Sequence, residues 1–271
     1  MSAIQSTLFA NRITMHDLPT MTCTASGYNA CMNDPSKIDV GHIRACLKPL
    51  SAPTGLAAHA HPRHSDFDLN RTHQGRTAEQ QQQPTTASDS LREAAVLVPL
   101  VVREHGYRVL LTQRTEHLNH HAGQICFPGG RVDLNDENHL ATALRETREE
   151  VGLQAEFLEP LGLLDDYETG TNFLVTPVVA LVRPGFTLTL EESEVADVFE
   201  IPLHFLFDDR NHQIQSRMRN GERRHYYVFE YEQRYIWGAT AGMLMNLYRR
   251  VHGLSDSILP IAQTNSLEHS Q

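Results

Sequence analysis

The sequence predicts a mixed α/β domain over roughly residues 91–253. Three observations predict it. Ala94–Val102 is a nine-residue apolar run of strand length, followed by a turn and a second apolar stretch, Tyr107–Thr112. Residues 137–151 place apolar side chains at helical spacing, and further strand-like segments lead to a last helical pattern at 239–251. Strands that surround one charged helix and end on a second helix need a sheet with helices packed on it.

Each element has its own signal. Pro99 inside the first run suggests an edge strand or a bulge, because proline cannot donate to a ladder. Glu104-His105-Gly106 is a turn, so the first two strands form a hairpin. In 137–151, Leu140, Leu144 and Val151 share a stripe, and Gly152 sits where a helix C-cap belongs. Strands are expected near 156–164, 172–182 and 225–231, the last with Tyr226, Tyr227 and Tyr231 as in a half-buried strand. The final helix buries Met243, Leu244, Leu247 and Val251. Trp237 is read as packing against this helix or lining a ligand pocket, and Cys126 as a small core residue.

Ahead of the domain, residues 1–90 read as an N-terminal extension. Residues 1–36 are polar and aperiodic; Ile38–Leu47 has helical spacing stopped by Pro49, a short helix near 38–48. Ser51–Ser90, with the run Gln80–Gln83, has the composition of a flexible linker. His59, His61 and His64 read as solvated loop histidines. Residues 254–271 read as a tail.

Composition limits the partners. The formal charge is −10, which argues against nucleic acid or an anionic membrane surface as partner. Residues 1–90 hold seven acids and seven bases, so the whole excess belongs to residues 91–271. No lysine follows Lys48, which removes a phosphate-cradling Walker lysine and Schiff-base chemistry from that part. Cys23, Cys31, Cys46 and Cys126 form no CxxC pair, as expected of a reduced, cytoplasmic chain. No apolar run is long enough to span a bilayer.

The chemistry concentrates in Arg145-Glu146-Thr147-Arg148-Glu149-Glu150. On a helix, Glu146, Glu149 and Glu150 fall at i, i+3 and i+4, so their carboxylates share one face. Like charges so placed repel, and a divalent cation reverses the sign, since hard oxygen ligands suit Mg²⁺ or Mn²⁺. A solvated acidic face with Arg145 and Arg148 as intrahelical partners is the alternative. The preceding Phe127-Pro128-Gly129-Gly130 is a turn whose glycines let backbone groups approach a ligand.

Read together, the segment Gly129–Leu153 resembles the Nudix box, with Gly130, Arg145, Glu146, Glu149, Glu150, Gly152 and Leu153 on its fixed positions. The box also has an acid between the glycine and the arginine. Asp136 has the spacing from the glycine and Glu137 the spacing to the arginine, so the loop carries one extra residue and both acids stand as candidates. Thr147 replaces the usual aliphatic residue.

Residues 110–130 are similar to the signature that precedes the box in the coenzyme A pyrophosphatase branch, through Arg114, Leu118, His121, Gly123, Gln124, Phe127 and Pro128. Val175–Val179 and Trp237–Ala241 resemble that branch as well. The resemblance covers about 160 residues, leaves out residues 1–36 and the glutamine-rich linker, and implies an α/β/α sandwich with a mixed sheet, to which composition adds a flexible N-terminal extension. It implies hydrolysis of coenzyme A or acyl-CoA to adenosine 3′,5′-bisphosphate and phosphopantetheine. It implies Mg²⁺ or Mn²⁺ on Glu146, Glu149, Glu150 and Gly130, with Glu149, Glu146 and Arg145 catalytic and Arg114, His121 and Gln124 toward substrate. A carboxylate of a later loop, Glu192, Glu194 or Asp197, is a further candidate base. The expected partner is a small molecule, with room for a homodimer. The alternatives are another nucleoside diphosphate derivative (ADP-ribose, NADH, a dinucleoside polyphosphate) or a catalytically silent binding module.

Overall fold

A computed structural model describes residues 38–58, 64–66, 68–70, 91–117, 123–219 and 221–254. In chain order the elements are α1 (Val40–Cys46), β1 (His64–Ser65), β2 (Arg92–Arg103), β3 (Gly106–Arg114), β4 (Ile125–Cys126), β5 (Gly129–Arg131) and α2 (His139–Val151). There follow β6 (Leu158–Leu163), β7 (Tyr167–Glu168), β8 (Phe173–Val182), β9 (Val195–Pro202), β10 (Gln213–Arg219), β11 (Glu222–Tyr231), β12 (Arg234–Trp237) and α3 (Gly238–Val251).

The main sheet is mixed, with β8 parallel to β2 and β2 antiparallel to β3. Its two faces read directly from the alternation in β2. Ala94, Val98 and Leu100 pack on one side with Met243, Leu244, Leu247 and Val251 of α3. Ala95, Leu97 and Val101 pack on the other side with Ala143 and Val151 of α2. Helices on both faces make this an α/β/α sandwich. Among the described residues no helix is long and apolar enough to cross a membrane.

One expectation is corrected by β2. It is a central strand, not an edge: β8 runs along one side, while β5 and then β3 share the other. The Leu97 amide faces the shared side, donating to the Pro128 carbonyl at 2.9 Å. Two residues on, Pro99 faces the same side where β5 pairing has ended and β3 pairing begins at Leu100. The missing N–H thus falls at a seam and costs no ladder bond. Here β2 and β3 splay apart, β4 on β3 and β5 on β2 fill the wedge, and the Gly129-Gly130 turn becomes part of the sheet.

Segments ahead of residue 91 belong to the fold. The helix expected near 38–48 forms as α1, with Ile43 fully buried. Lys48 pairs with Leu163 in a β-bridge, and β1 runs parallel to β7. His64, expected in solvent, is 7% exposed and stands 3.4 Å from Asp68. Asp165 explains the seating: its buried carboxylate takes Lys48 Nζ at 2.6 Å and Arg250 at 2.8 Å. His59, His61 and the run Gln80–Gln83 lie outside the described residues, as do residues 1–37 and 255–271.

Strands β10 to β12 form a separate antiparallel sheet. Asp197, expected on a loop, lies on β9 and is ion-paired to Arg234.

Candidate active site

Helix α2 builds the site. The Asn138 side chain caps its start by accepting from the Ala141 amide at 2.9 Å, and Gly152 ends it in the left-handed conformation at φ 70°. Between these ends, Thr147 turns inward and satisfies its hydroxyl on the Ala143 carbonyl at 2.7 Å, so the loss of an aliphatic residue leaves no orphan donor.

The three glutamates differ in setting. Glu149 is the most open, its side chain 52% exposed, and it accepts from Arg145 at 3.1 Å. Glu146 is half-buried against the glycine turn; a Cβ on Gly130 would fall on its carboxylate, which is why the position is glycine. Glu150, 5% exposed, accepts from the Gly129 amide at 3.1 Å and faces Arg114 at 3.7 Å. Burial raises the Glu146 carboxyl, and raises that of Glu150 to about 7, with repulsion from the neighbouring carboxylates adding to both.

Arg145 organises the face. Its guanidinium donates to Asp136 at 2.8 and 3.0 Å, to Glu146 at 2.9 Å and to the Arg131 carbonyl at 3.1 Å. The two candidate box acids are thereby separated. Asp136 is held by Arg145, the Asp133 amide and the Thr142 hydroxyl, and these hydrogen bonds, Arg145 first, keep its carboxyl well below the ordinary range. Glu137 is exposed.

Among the later acids, Glu194 stands near enough to add to the repulsion on Glu146 and Glu150. Its chain segment is tied to the end of α2 through Thr189 N to Val151 O and Glu191 N to Glu150 O, both 2.9 Å. Glu192 is exposed.

Beside the glycine turn lies a cavity of about 480 Å³. Arg114 and Gln124 line it, whereas His121 and Leu118 lie outside the described residues. Trp237 is in its wall rather than packed away, and Cys126 is there too. Burial pushes the Cys126 thiol up to about 11, and its sulfur sits 3.2 Å from the Thr112 hydroxyl, so it is no nucleophile. Sequence reasoning missed several wall residues, Arg217 and Asp66 among them. Arg217 comes from the polar strand β10, which has no apolar alternation to announce it. Asp66 comes from the segment read as linker and is fixed by Tyr167 Oη at 2.8 Å and the Gly170 amide at 2.7 Å.

For a divalent cation the donor chemistry fits: three carboxylates and the Gly130 carbonyl are hard oxygens, and burial holds two of the carboxylates above their ordinary range. Among the described residues, no three such groups yet stand at ligand geometry, Glu149 being engaged with Arg145 and Glu150 with the Gly129 amide.

A mixed sheet between helices, with glutamates set against a glycine turn beside a cavity, is an arrangement suited to hydrolysing phosphoric anhydrides. Residues 91–225 match the NUDIX domain. A Nudix hydrolase named NudL from Yersinia enterocolitica, itself termed uncharacterized, is 40% identical over 173 residues, 64% of this chain and 88% of the relative. Its Escherichia coli namesake is 42% identical over 157 residues, 58% and 81% of the two chains. A C. elegans Ap4A hydrolase structure, a binary complex, is similar with a TM-score of 0.36 at 23% identity, covering 41% of this chain and 80% of that one. The chain belongs to the Nudix hydrolase family.

Proposed function

We propose that the protein hydrolyses the diphosphate bond of coenzyme A or an acyl-CoA, releasing adenosine 3′,5′-bisphosphate and (acyl-)phosphopantetheine. One observation carries this reading. The stretches that resemble the coenzyme A pyrophosphatase branch are far apart in sequence, yet Arg114, Gln124, Phe127, Val175, Trp237 and Thr240 all line the one cavity beside Gly129 and Gly130. A shared wall is what recognition of a single extended substrate requires.

Hydrolysis adds water across the P–O–P bridge: one phosphorus takes the hydroxide and the other keeps the bridging oxygen. Mg²⁺ or Mn²⁺, held by Glu146, Glu149, Glu150 and the Gly130 carbonyl, would neutralise phosphate charge and acidify the attacking water. Arg145 keeps Glu146 and Glu149 on the face toward the turn. Arg114, lining the cavity beside Glu150, supplies a cation to the phosphates. Glu149, the most exposed of the three glutamates, and Glu194 are the carboxylates open to take the proton.

Product analysis with free coenzyme A and Mg²⁺ tests the reading. Adenosine 3′,5′-bisphosphate is the expected product, lost in Glu149→Gln. Turnover of ADP-ribose, NADH or a dinucleoside polyphosphate without turnover of coenzyme A would replace the substrate. Retained ligand binding with no turnover of any diphosphate would instead make the domain a binding module.

A further inference from the structure

Three arginines line the cavity. Arg114 and Arg131 flank the glycine turn, where the diphosphate belongs. Arg217 comes from a different sheet and has no task in the chemistry above.

Its setting is specific. The guanidinium carbon lies 4.5 Å from the centre of the Trp237 ring and 5.7 Å from that of Tyr226. Among the described residues Arg217 forms no ion pair with a carboxylate, although the chain is rich in them. Directly across the ladder stands Arg224, so two guanidinium groups project from one face of the hairpin. A guanidinium laid over an aromatic ring keeps its N–H edge available, and that planar edge matches the oxygens of a phosphate. The surroundings therefore supply a cation laid over two rings, without an anion among the described residues to satisfy it, on the wall of the cavity beside the glycine turn.

Coenzyme A carries a second phosphate that the chemistry does not touch, on the 3′ position of the ribose whose 5′ position bears the diphosphate. We infer that Arg217, steadied by Trp237 and Tyr226, binds this 3′-phosphate monoester and gives the enzyme a preference for coenzyme A over dephospho-coenzyme A. The inference rests on the coenzyme A reading above.

Steady-state hydrolysis of coenzyme A, dephospho-coenzyme A and ADP-ribose by wild type, Arg217→Ala and Arg217→Lys tests it. Wild type is expected to favour coenzyme A. Arg217→Ala should lower kcat/KM for coenzyme A about ten- to hundredfold, the loss of a charge-assisted contact, mainly through KM. It should leave dephospho-coenzyme A within about twofold, since a contact absent from that substrate cannot be lost. Arg217→Lys should restore part of the preference. Equal wild-type rates on the two coenzyme A forms, or equal losses on both in Arg217→Ala, would overturn the inference and leave the substrate reading standing. Turnover of ADP-ribose with neither coenzyme A form hydrolysed would overturn both.

Discussion

Glu150→Gln separates a residue placed to hold a cation from one placed to hold the fold. The amide keeps an oxygen for the Gly129 N–H, removes the charge and puts an NH₂ in place of the oxygen that faces Arg114. In the wild type, burial first, then repulsion from Glu146 and Glu194, overcome Gly129 and Arg114 to raise the carboxyl from 4.5 to about 7. That rise is worth about 3 kcal/mol against the charged form. A carboxyl raised on folding contributes its stability below the unfolded pKa and loses it as pH climbs through the folded one. Without metal, the variant's advantage should therefore stay under about 1 kcal/mol at pH 5 and reach about 3 kcal/mol at pH 8. Denaturant unfolding in the presence of a chelator, at both pH values, measures this. The same variant should lose hydrolysis and most of the thermal shift that Mg²⁺ or Mn²⁺ gives the wild type. A variant less stable than wild type at pH 8 in chelator would refute the reasoning, because Glu150 would then be a structural anchor.

The remaining predictions concern its neighbours. Asp136→Asn should cut activity about tenfold by releasing Arg145, while Glu137→Gln should change stability by less than about 0.5 kcal/mol and leave turnover intact; kinetics on the pair decides which acid serves the box. Gly129→Ala drives a Cβ into the backbone of Ala95 and Val96 and should cost more than about 2 kcal/mol in unfolding experiments, whereas Gly130→Ala meets only the movable Glu146 side chain and should spare the fold but weaken metal binding. Asp165→Asn strands Lys48 and Arg250 and should cost about 3 kcal/mol, a fall in Tm of about 6–12 °C by calorimetry. Burial opposes the Asp165 charge, but hydrogen bonds from His64, Arg250 and Lys48 win and hold its carboxyl low, so the deficit should be full above about pH 4 and shrink as pH falls below it.

What could be read along the chain was whatever a local period encodes. The stripe of Leu140, Leu144 and Val151 and the glycine after it announce α2, and its three glutamates fall on one face by helical arithmetic alone. Apolar runs of strand length likewise announce β2, β3 and β8. Gln213–Arg219 escapes because its side chains are polar, and its strand is held by pairing to β11 rather than by burial. The choice between Asp136 and Glu137 was illegible for a different reason: one extra loop residue makes both spacings valid, and that Arg145 reaches Asp136 is visible only in space. Asp197 looked like a loop acid because nothing local reveals Arg234 opposite it. Arg217 and Trp237 become neighbours only through sheet register.

Lys48, Asp66 and the short β1 strand all precede the stretch that matches the NUDIX domain. A protein trimmed to residues 91–253 would keep every acid of the box and still be damaged. Asp165 would lose one of its buried cations, β7 would be left with a bare edge, and the cavity would open where Asp66 had anchored Tyr167 and Gly170. Such a fragment should melt early and handle its substrate poorly, which could be mistaken for weak intrinsic catalysis. The catalytic unit worth purifying starts no later than α1.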